Sequence, residues 1–269
     1  MSEVAGVLRL ARTAALRIAG PLDLAARSLA GRSDLPPLWL RRHAGPPGKF
    51  ESAAREMAAF LDRMGLPEPD DDVLDVGCGP GAMAGELARR IGPGAHYVGF
   101  DVHAPSIRWC RGRFGSDPRL SFVLAPIASP YGSRRGEPAT SYRFPMEDAG
   151  AGLVLAKSVF THLLEPEARH YLAECRRAVK PGRAAIVTAL LFDGQAPGAD
   201  LARQAFPFGD AAGHVRWRRS LRPTAAVAYE RLFFFAMIEE AGLRVESMTA
   251  GYFPGAERVT GQDILVLRH

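Results

Sequence analysis

An aliphatic run that breaks into glycines, Val73-Leu74-Asp75-Val76-Gly77-Cys78-Gly79-Pro80-Gly81, limits what this chain can fold into more than any other stretch. Val73, Leu74 and Val76 read as a buried strand. Glycines at alternate positions 77, 79 and 81 end it, and Met83-Ala84-Gly85-Glu86-Leu87-Ala88-Arg89-Arg90-Ile91 follows with helical spacing. A strand that runs through glycines into a helix leaves bare backbone at the helix N-terminus. A ligand can lie there because no side chain fills the space. The alternative is a tight turn in a doubly wound α/β fold that holds no cofactor.

The spacing Gly77-x-Gly79-x-x-Ala82 also satisfies the loose dinucleotide pattern, so glycines alone do not choose the ligand. Asp75 narrows the choice. A carboxylate two residues before the first glycine repels a pyrophosphate and favours an ammonium group. Asp101 follows the strand His96-Tyr97-Val98-Gly99-Phe100, 101 − 81 = 20 residues past the last glycine, where an acid can take the two hydroxyls of a ribose. An amine near Asp75, a ribose at Asp101 and no phosphate together describe S-adenosylmethionine.

Asp75-x-Gly77-x-Gly79-x-Gly81 resembles motif I of the class I S-adenosylmethionine-dependent methyltransferases, and Asp101 falls where that family has its ribose-binding acid. Tyr142-Arg143-Phe144-Pro145-x-Glu147-Asp148, Ser158-Val159-Phe160-Thr161-His162-Leu163 and Val179-Lys180-Pro181-Gly182 resemble, in order, later signatures of a bacterial subgroup acting on small molecules. The resemblance covers residues 40 to 269. It implies a seven-stranded, mostly parallel sheet with an antiparallel last strand. It also implies a cofactor site at Asp75, Gly77, Cys78, Gly79, Gly81, Asp101, Val102, Pro126 and Ala156. Two departures from the family pattern stand out. Lys49 occupies the place of an aspartate often found before Phe50, and Ala125-Pro126-Ile127 replaces the acid that usually meets the adenine amino group, leaving adenine to backbone groups and apolar packing.

A chain of 269 residues accommodates one large α/β domain with decoration. The expected division is an N-terminal helical extension or lid at 1–48 and a catalytic domain at 49–269, with substrate-side insertions near 125–146 and 192–225. The net charge of +5 rests almost wholly on arginine: three lysines leave 34 − 3 = 31 arginines, scattered or paired rather than in a long run, so no nucleic-acid patch is read. Cys78, Cys110 and Cys175 show no metal-ligand spacing, and no apolar run approaches a membrane span. The expectation is a cytoplasmic protein without a bound metal.

Residues 3 to 32 read as one or two basic amphipathic helices, packed on the domain or a second subunit, or lying on a membrane surface. Later elements follow by pattern: a helix after Phe50, strands at 120–124 and 152–156, a helix at 165–178, a strand at 184–190, a helix at 226–241, and strands at 244–249 and 262–267. The loop 129–145 and the excursion 193–224 are rich in aromatic and basic residues. Each reads either as a substrate surface (Tyr131, Arg134, Tyr142, Phe144, His214 and Trp217 being the candidates) or as a solvated loop or homodimer contact.

Methyl transfer from a sulfonium is an in-line displacement in which the protein mainly aligns the acceptor. A hydroxyl acceptor must also lose its proton. His162, just past the fourth strand, is the candidate base; the alternative is a histidine that only lines the pocket. His214, His103 and Tyr131 are secondary candidates. Ser158 and Thr161 read as capping or backbone-bonding residues. The segment Ala156-Lys157-Ser158-Val159 lacks the motif that holds a flipped base, which argues against nucleic acid as acceptor. The favoured activity is O-methylation of a sugar or secondary metabolite. Its rivals are N- or C-methylation, a nicotinamide-linked oxidoreductase, and a non-catalytic S-adenosylmethionine-binding scaffold.

Overall fold

Alternate residues of the central strands face opposite ways, and nearly all are apolar, so helices must cover both faces of the sheet. The computed structural model describes residues 20–193, 208–218, 223–251 and 262–269, and it shows this arrangement. The strands are β1 (Val73–Val76), β2 (Tyr97–Asp101), β3 (Leu120–Leu124), β4 (Ala151–Ala156), β5 (Val179–Ala189), β10 (Arg244–Thr249) and β11 (Asp263–Arg268), in the order β10-β11-β5-β4-β1-β2-β3. β1 to β5 pair in parallel, and β11 runs antiparallel to both its neighbours. One face carries Leu74, Val76, Val154 and Val187 against helices Glu165–Ala178 and Arg231–Glu240. The other carries Val73, Leu153, Leu155 and Ile186 against helices Phe50–Arg63, Ala84–Ala88 and Ala104–Phe114. Full burial of each such aliphatic side chain stabilises the fold by roughly 1.5–3 kcal/mol.

A second sheet of four strands, β6 (Leu191–Phe192), β7 (Phe208–Ala212), β8 (Val215–Arg218) and β9 (Val227–Glu230), has the order β6-β9-β8-β7. It corrects the helix expected over 226–241, because only Arg231–Glu240 is helical. Val227, Ala228 and Tyr229 are instead fully buried in a ladder with Val215, Arg216 and Trp217. A neighbouring strand outweighs the modest helix preference of this segment. The helix after the glycine loop is also shorter than its pattern, Ala84–Ala88 rather than 83–91. Gly81 at φ +80° keeps the chain in turns beyond the loop, and Gly85 weakens the helix itself.

Gly152 has a packing reason. A Cβ there would overlap the carboxylate of Asp71, a 2% exposed residue that accepts the Glu68 N–H at 2.9 Å. In the N-terminal region the described part is helix Gly20–Leu29, helix Leu38–Arg41 and the short turns Arg42–Ala44 and Pro47–Lys49. The predicted helical residues 3–19, together with Phe206, Pro207 and Arg219 of the second excursion, lie outside the described residues.

Candidate functional site

The glycine loop turns because all three glycines adopt left-handed backbone, with φ of +68°, +53° and +80° at Gly77, Gly79 and Gly81. Space enforces two of them. A Cβ on Gly77 would stand 2.8 Å from Val159 Cγ2, and one on Gly81 would stand 2.8 Å from the Phe114 ring and 3.1 Å from Cys110 Sγ. At Gly79 the nearest atom is Ala44 Cβ at 3.9 Å, so the N-terminal segment stands over this loop. Cys78 is buried at 6% exposure, and its thiol and that of Cys110 both lie near the Gly79 carbonyl.

Asp101, at the end of β2, fixes the loop from the side. Its Oδ2 accepts the Gly79 N–H at 2.8 Å and its Oδ1 accepts the His103 N–H at 2.7 Å. A carboxylate offers about four acceptor positions, so two remain for hydroxyls. Beside it, Val102 is half-buried, and its carbonyl is where a Cβ on Gly132 would fall, which brings the 129–133 loop against the end of β2. Pro126 is exposed, and its carbonyl accepts the Glu137 N–H at 2.9 Å.

Asp75 sits below the loop rather than in it. It is 2% exposed and accepts the Tyr97 hydroxyl at 2.6 Å. Burial raises its pKa from 3.8 to about 7, opposed by the Tyr97 hydrogen bond and the charge of Lys157. Its carboxylate is therefore enclosed and engaged by Tyr97, which corrects the expectation that it is open to an ammonium group. Ala156 is also corrected, because at 0% exposure its atoms belong to the core.

The histidine expected as base lies where three segments meet. Phe160–His162 forms a short 3-10 turn, and Thr161 Oγ1 donates to the Ser158 carbonyl at 3.2 Å, the backbone-bonding role expected of it. His162 Nδ1 is 2.9 Å from the Thr224 carbonyl and 3.0 Å from the Tyr131 hydroxyl, which itself donates to that carbonyl at 2.9 Å. A carbonyl only accepts, so Nδ1 carries the hydrogen and the neutral ring keeps its lone pair on Nε2. Burial lowers the His162 pKa; the Thr224 bond works against this, and His43 adds repulsion. His43 stacks on His103 at 3.8 Å and meets Tyr131 edge-on at 6.0 Å, while Trp39 meets His103 edge-on at 6.5 Å. The N-terminal segment, the 129–133 loop and the Pro223–Ala225 turn thus converge on the ends of β2 and β4.

The remaining substrate candidates separate. Phe144 is 2% exposed among Phe100, Tyr142 and Tyr171, and its N–H donates to Glu174 at 2.7 Å. This corrects its assignment, since an enclosed core ring offers a substrate no surface. Tyr142, at 7% exposure, packs on Phe100 and Phe144 and belongs to the same core. His214 is exposed on the small sheet, paired with Glu230 and stacked on Phe233 at 4.6 Å. Trp217 is half-buried against the main core from β8, and Arg134 is exposed.

One support was not legible in the sequence. Ser158 holds φ +62°, its N–H donates to Thr188 Oγ1 at 2.7 Å, Thr188 donates to Gln262 Oε1 at 2.6 Å, and Gln262 returns Nε2–H to Ser158 Oγ at 3.1 Å. This closed ring joins three chain segments and fixes the loop between β4 and His162. No local pattern marks residues 30 and 74 positions apart as partners.

A family model described as a methyltransferase domain matches residues 73–182. Nocamycin O-methyltransferase of Saccharothrix syringae is 42% identical over 59 residues, 22% of this chain and 20% of that protein. An uncharacterized 37.1 kDa protein in a Streptomyces fradiae transposon is 26% identical over 149 residues, 49% of this chain and 39% of that protein. The chain therefore spans well under half the length of these curated relatives. Among solved structures, an S-adenosylmethionine-dependent methyltransferase from Aquifex aeolicus has a TM-score of 0.53 at 17% identity, covering 84% of this chain and 94% of that one. The CcbJ methyltransferase of Streptomyces caelestis has a TM-score of 0.54 at 17% identity, covering 84% and 91%. At these identities the likeness is one of fold.

Proposed function

We propose that this chain is a class I S-adenosylmethionine-dependent methyltransferase and that it moves the cofactor's methyl group onto a hydroxyl of a small molecule, such as a sugar or secondary metabolite; the methyltransferase-domain match over residues 73–182 and the methyltransferase-like fold support this reading. The cofactor, when bound, supplies a methyl already activated on a sulfonium, so the acceptor oxygen forms its new C–O bond as the S–CH3 bond breaks. The glycine backbone at 77–81 makes room for the amino-acid chain and sulfur. Asp101 receives the ribose hydroxyls on the acceptor positions that Gly79 and His103 leave open. Adenine lies toward Val102 and Pro126, held by apolar packing and backbone groups.

His162 takes the acceptor's proton at Nε2. One observation carries this role: the Thr224 carbonyl holds Nδ1–H, which turns the basic nitrogen away from its anchor. A lowered pKa keeps the ring neutral, and hence competent as a base, near neutral pH. Residues 1–48 are proposed as a cap whose described end, through Trp39, His43 and Ala44, closes the site from above. The alternative of N- or C-methylation uses the same cofactor site and needs no such base.

The test is incubation with methyl-tritiated cofactor and a panel of hydroxylated small molecules, followed by separation of labelled products. Labelled methyl ethers formed by the native protein and lost in His162→Gln, with cofactor affinity intact, support the proposal. Labelled amines or carbon-methylated products in their place overturn the choice of oxygen.

A further inference from the structure

The carboxyl end of β4 carries a cation that the reading above leaves unused. Asp75 on β1 pairs in register with Leu155 on one face of the sheet, and Lys157 is the first residue past the end of β4, near enough to that face for its charge to act on Asp75. Helix Phe50–Arg63 covers that face through Ala54, Met57, Phe60 and Leu61. Lys157 is half-buried there, and the charges that act on it are those of Asp75 and Glu56. Among the described residues it makes no hydrogen bond or ion pair. Asp75 is engaged by Tyr97, and Glu56 is an exposed residue of the covering helix. An ammonium held away from water without a bonded acceptor is unfavourable, and a bound anion relieves it.

Its place relative to the loop says which anion. The strand order puts β1 between β2 and β4, so Asp101 and Lys157 flank the glycine loop at two strand spacings, about 10 Å apart along the sheet. Val159, two residues past Lys157, already presses against Gly77. A ligand whose ribose sits at Asp101 and whose chain crosses bare glycine backbone arrives at β4 with its far end. We propose that Lys157 binds the α-carboxylate at the amino-acid end of the cofactor, so that the site measures the ligand from ribose hydroxyls to carboxylate. The proposal rests on the reading of this site as an S-adenosylmethionine site. Lys157 is then a binding residue.

The experiment compares two ligands that share the adenosine and sulfur and differ in the amino-acid portion. S-adenosylhomocysteine and methylthioadenosine are titrated calorimetrically into the native protein, Lys157→Gln and Lys157→Arg, with thermal unfolding as a check on folding. The expected result is that Lys157→Gln weakens S-adenosylhomocysteine about 10- to 100-fold, the size of one charged hydrogen bond. Methylthioadenosine affinity stays within about twofold, as for an interaction the ligand does not make. Lys157→Arg retains most of the affinity for the longer ligand. Equal losses for both ligands, or no loss for either, overturn the assignment to the carboxylate. If the native protein binds neither ligand, the cofactor reading fails and the proposal fails with it, an outcome distinct from a defect confined to the variants.

Discussion

Replacing Asp101 with Asn separates the two tasks assigned to this side chain. In the native protein each carboxylate oxygen accepts one backbone N–H, from Gly79 at 2.8 Å and from His103 at 2.7 Å, at a residue only 9% exposed. Asparagine has the same shape but one acceptor oxygen, so its NH2 must face one of those two donors. A hydrogen bond to a charged group contributes roughly 1.5–3 kcal/mol, and a buried donor left unsatisfied costs a similar amount. The loss is therefore about 2 kcal/mol, or roughly 4–8 °C in melting temperature for a domain of this size. The same change removes the charged acceptor for the ribose, and S-adenosylhomocysteine affinity is expected to fall about 10- to 100-fold. Thermal unfolding of the ligand-free protein reads the first effect, and calorimetric titration reads the second. A lower melting temperature with unchanged affinity makes Asp101 a brace for the glycine loop and refutes its role at the ribose. No change in either refutes both.

Four further outcomes follow from the structure. Gly77→Ala places a methyl 2.8 Å from Val159 Cγ2 at φ +68°, and is expected to destabilise the protein by about 1–3 kcal/mol and weaken cofactor binding. Gly112→Ala, in open space on helix Ala104–Phe114, is expected to stabilise by about 0.5–1 kcal/mol; melting curves compare the two. His162 has a folded pKa below its ordinary 6.5, so between those values the unfolded chain binds a proton that the folded chain refuses. Stability therefore falls on acidification through that window, His162→Gln flattens the dependence, and nitrogen NMR of the ring shows the hydrogen on Nδ1. Asp75 behaves oppositely: its pKa is raised from 3.8 to about 7, so the folded protein keeps a proton the unfolded chain releases, and stability falls as pH rises through that range. Urea unfolding of Asp75→Asn across it is expected to show the variant gaining on the native protein as pH rises, with no such gain counting against the buried carboxyl.

The parts of the fold read from sequence were those carried by local pattern. β3, helix Glu165–Ala178 and β10 have the bounds their apolar spacing predicted, because strand alternation and a helix face are written in neighbouring residues. The antiparallel β11 entered through the family resemblance, and its ladders with β5 and β10 agree with it. β9 departs from the helix expected there because its partner β8 lies in the neighbouring excursion, which carries no strand pattern in the sequence, and supplies the pairing that Val227–Glu230 cannot supply alone. At the candidate site, the turn of the glycine loop was legible from spacing, and the structure adds that Asp101 holds that loop through the Gly79 N–H. Asp75, Ala156 and Phe144 were assigned open contacts from their places in motifs, yet a motif does not show which side of a strand end is covered. The Thr224 carbonyl beside His162 lies 62 residues away in the chain, beyond any local signal.

The central claim, that the loop at 77–81 with Asp101 holds S-adenosylmethionine, is tested most directly by titrating the native protein in parallel with S-adenosylmethionine, S-adenosylhomocysteine and NAD. Saturable binding of both adenosyl ligands with no heat from NAD is the predicted result. Binding of NAD alone would contradict the account and turn the glycine loop into a dinucleotide site for hydride transfer.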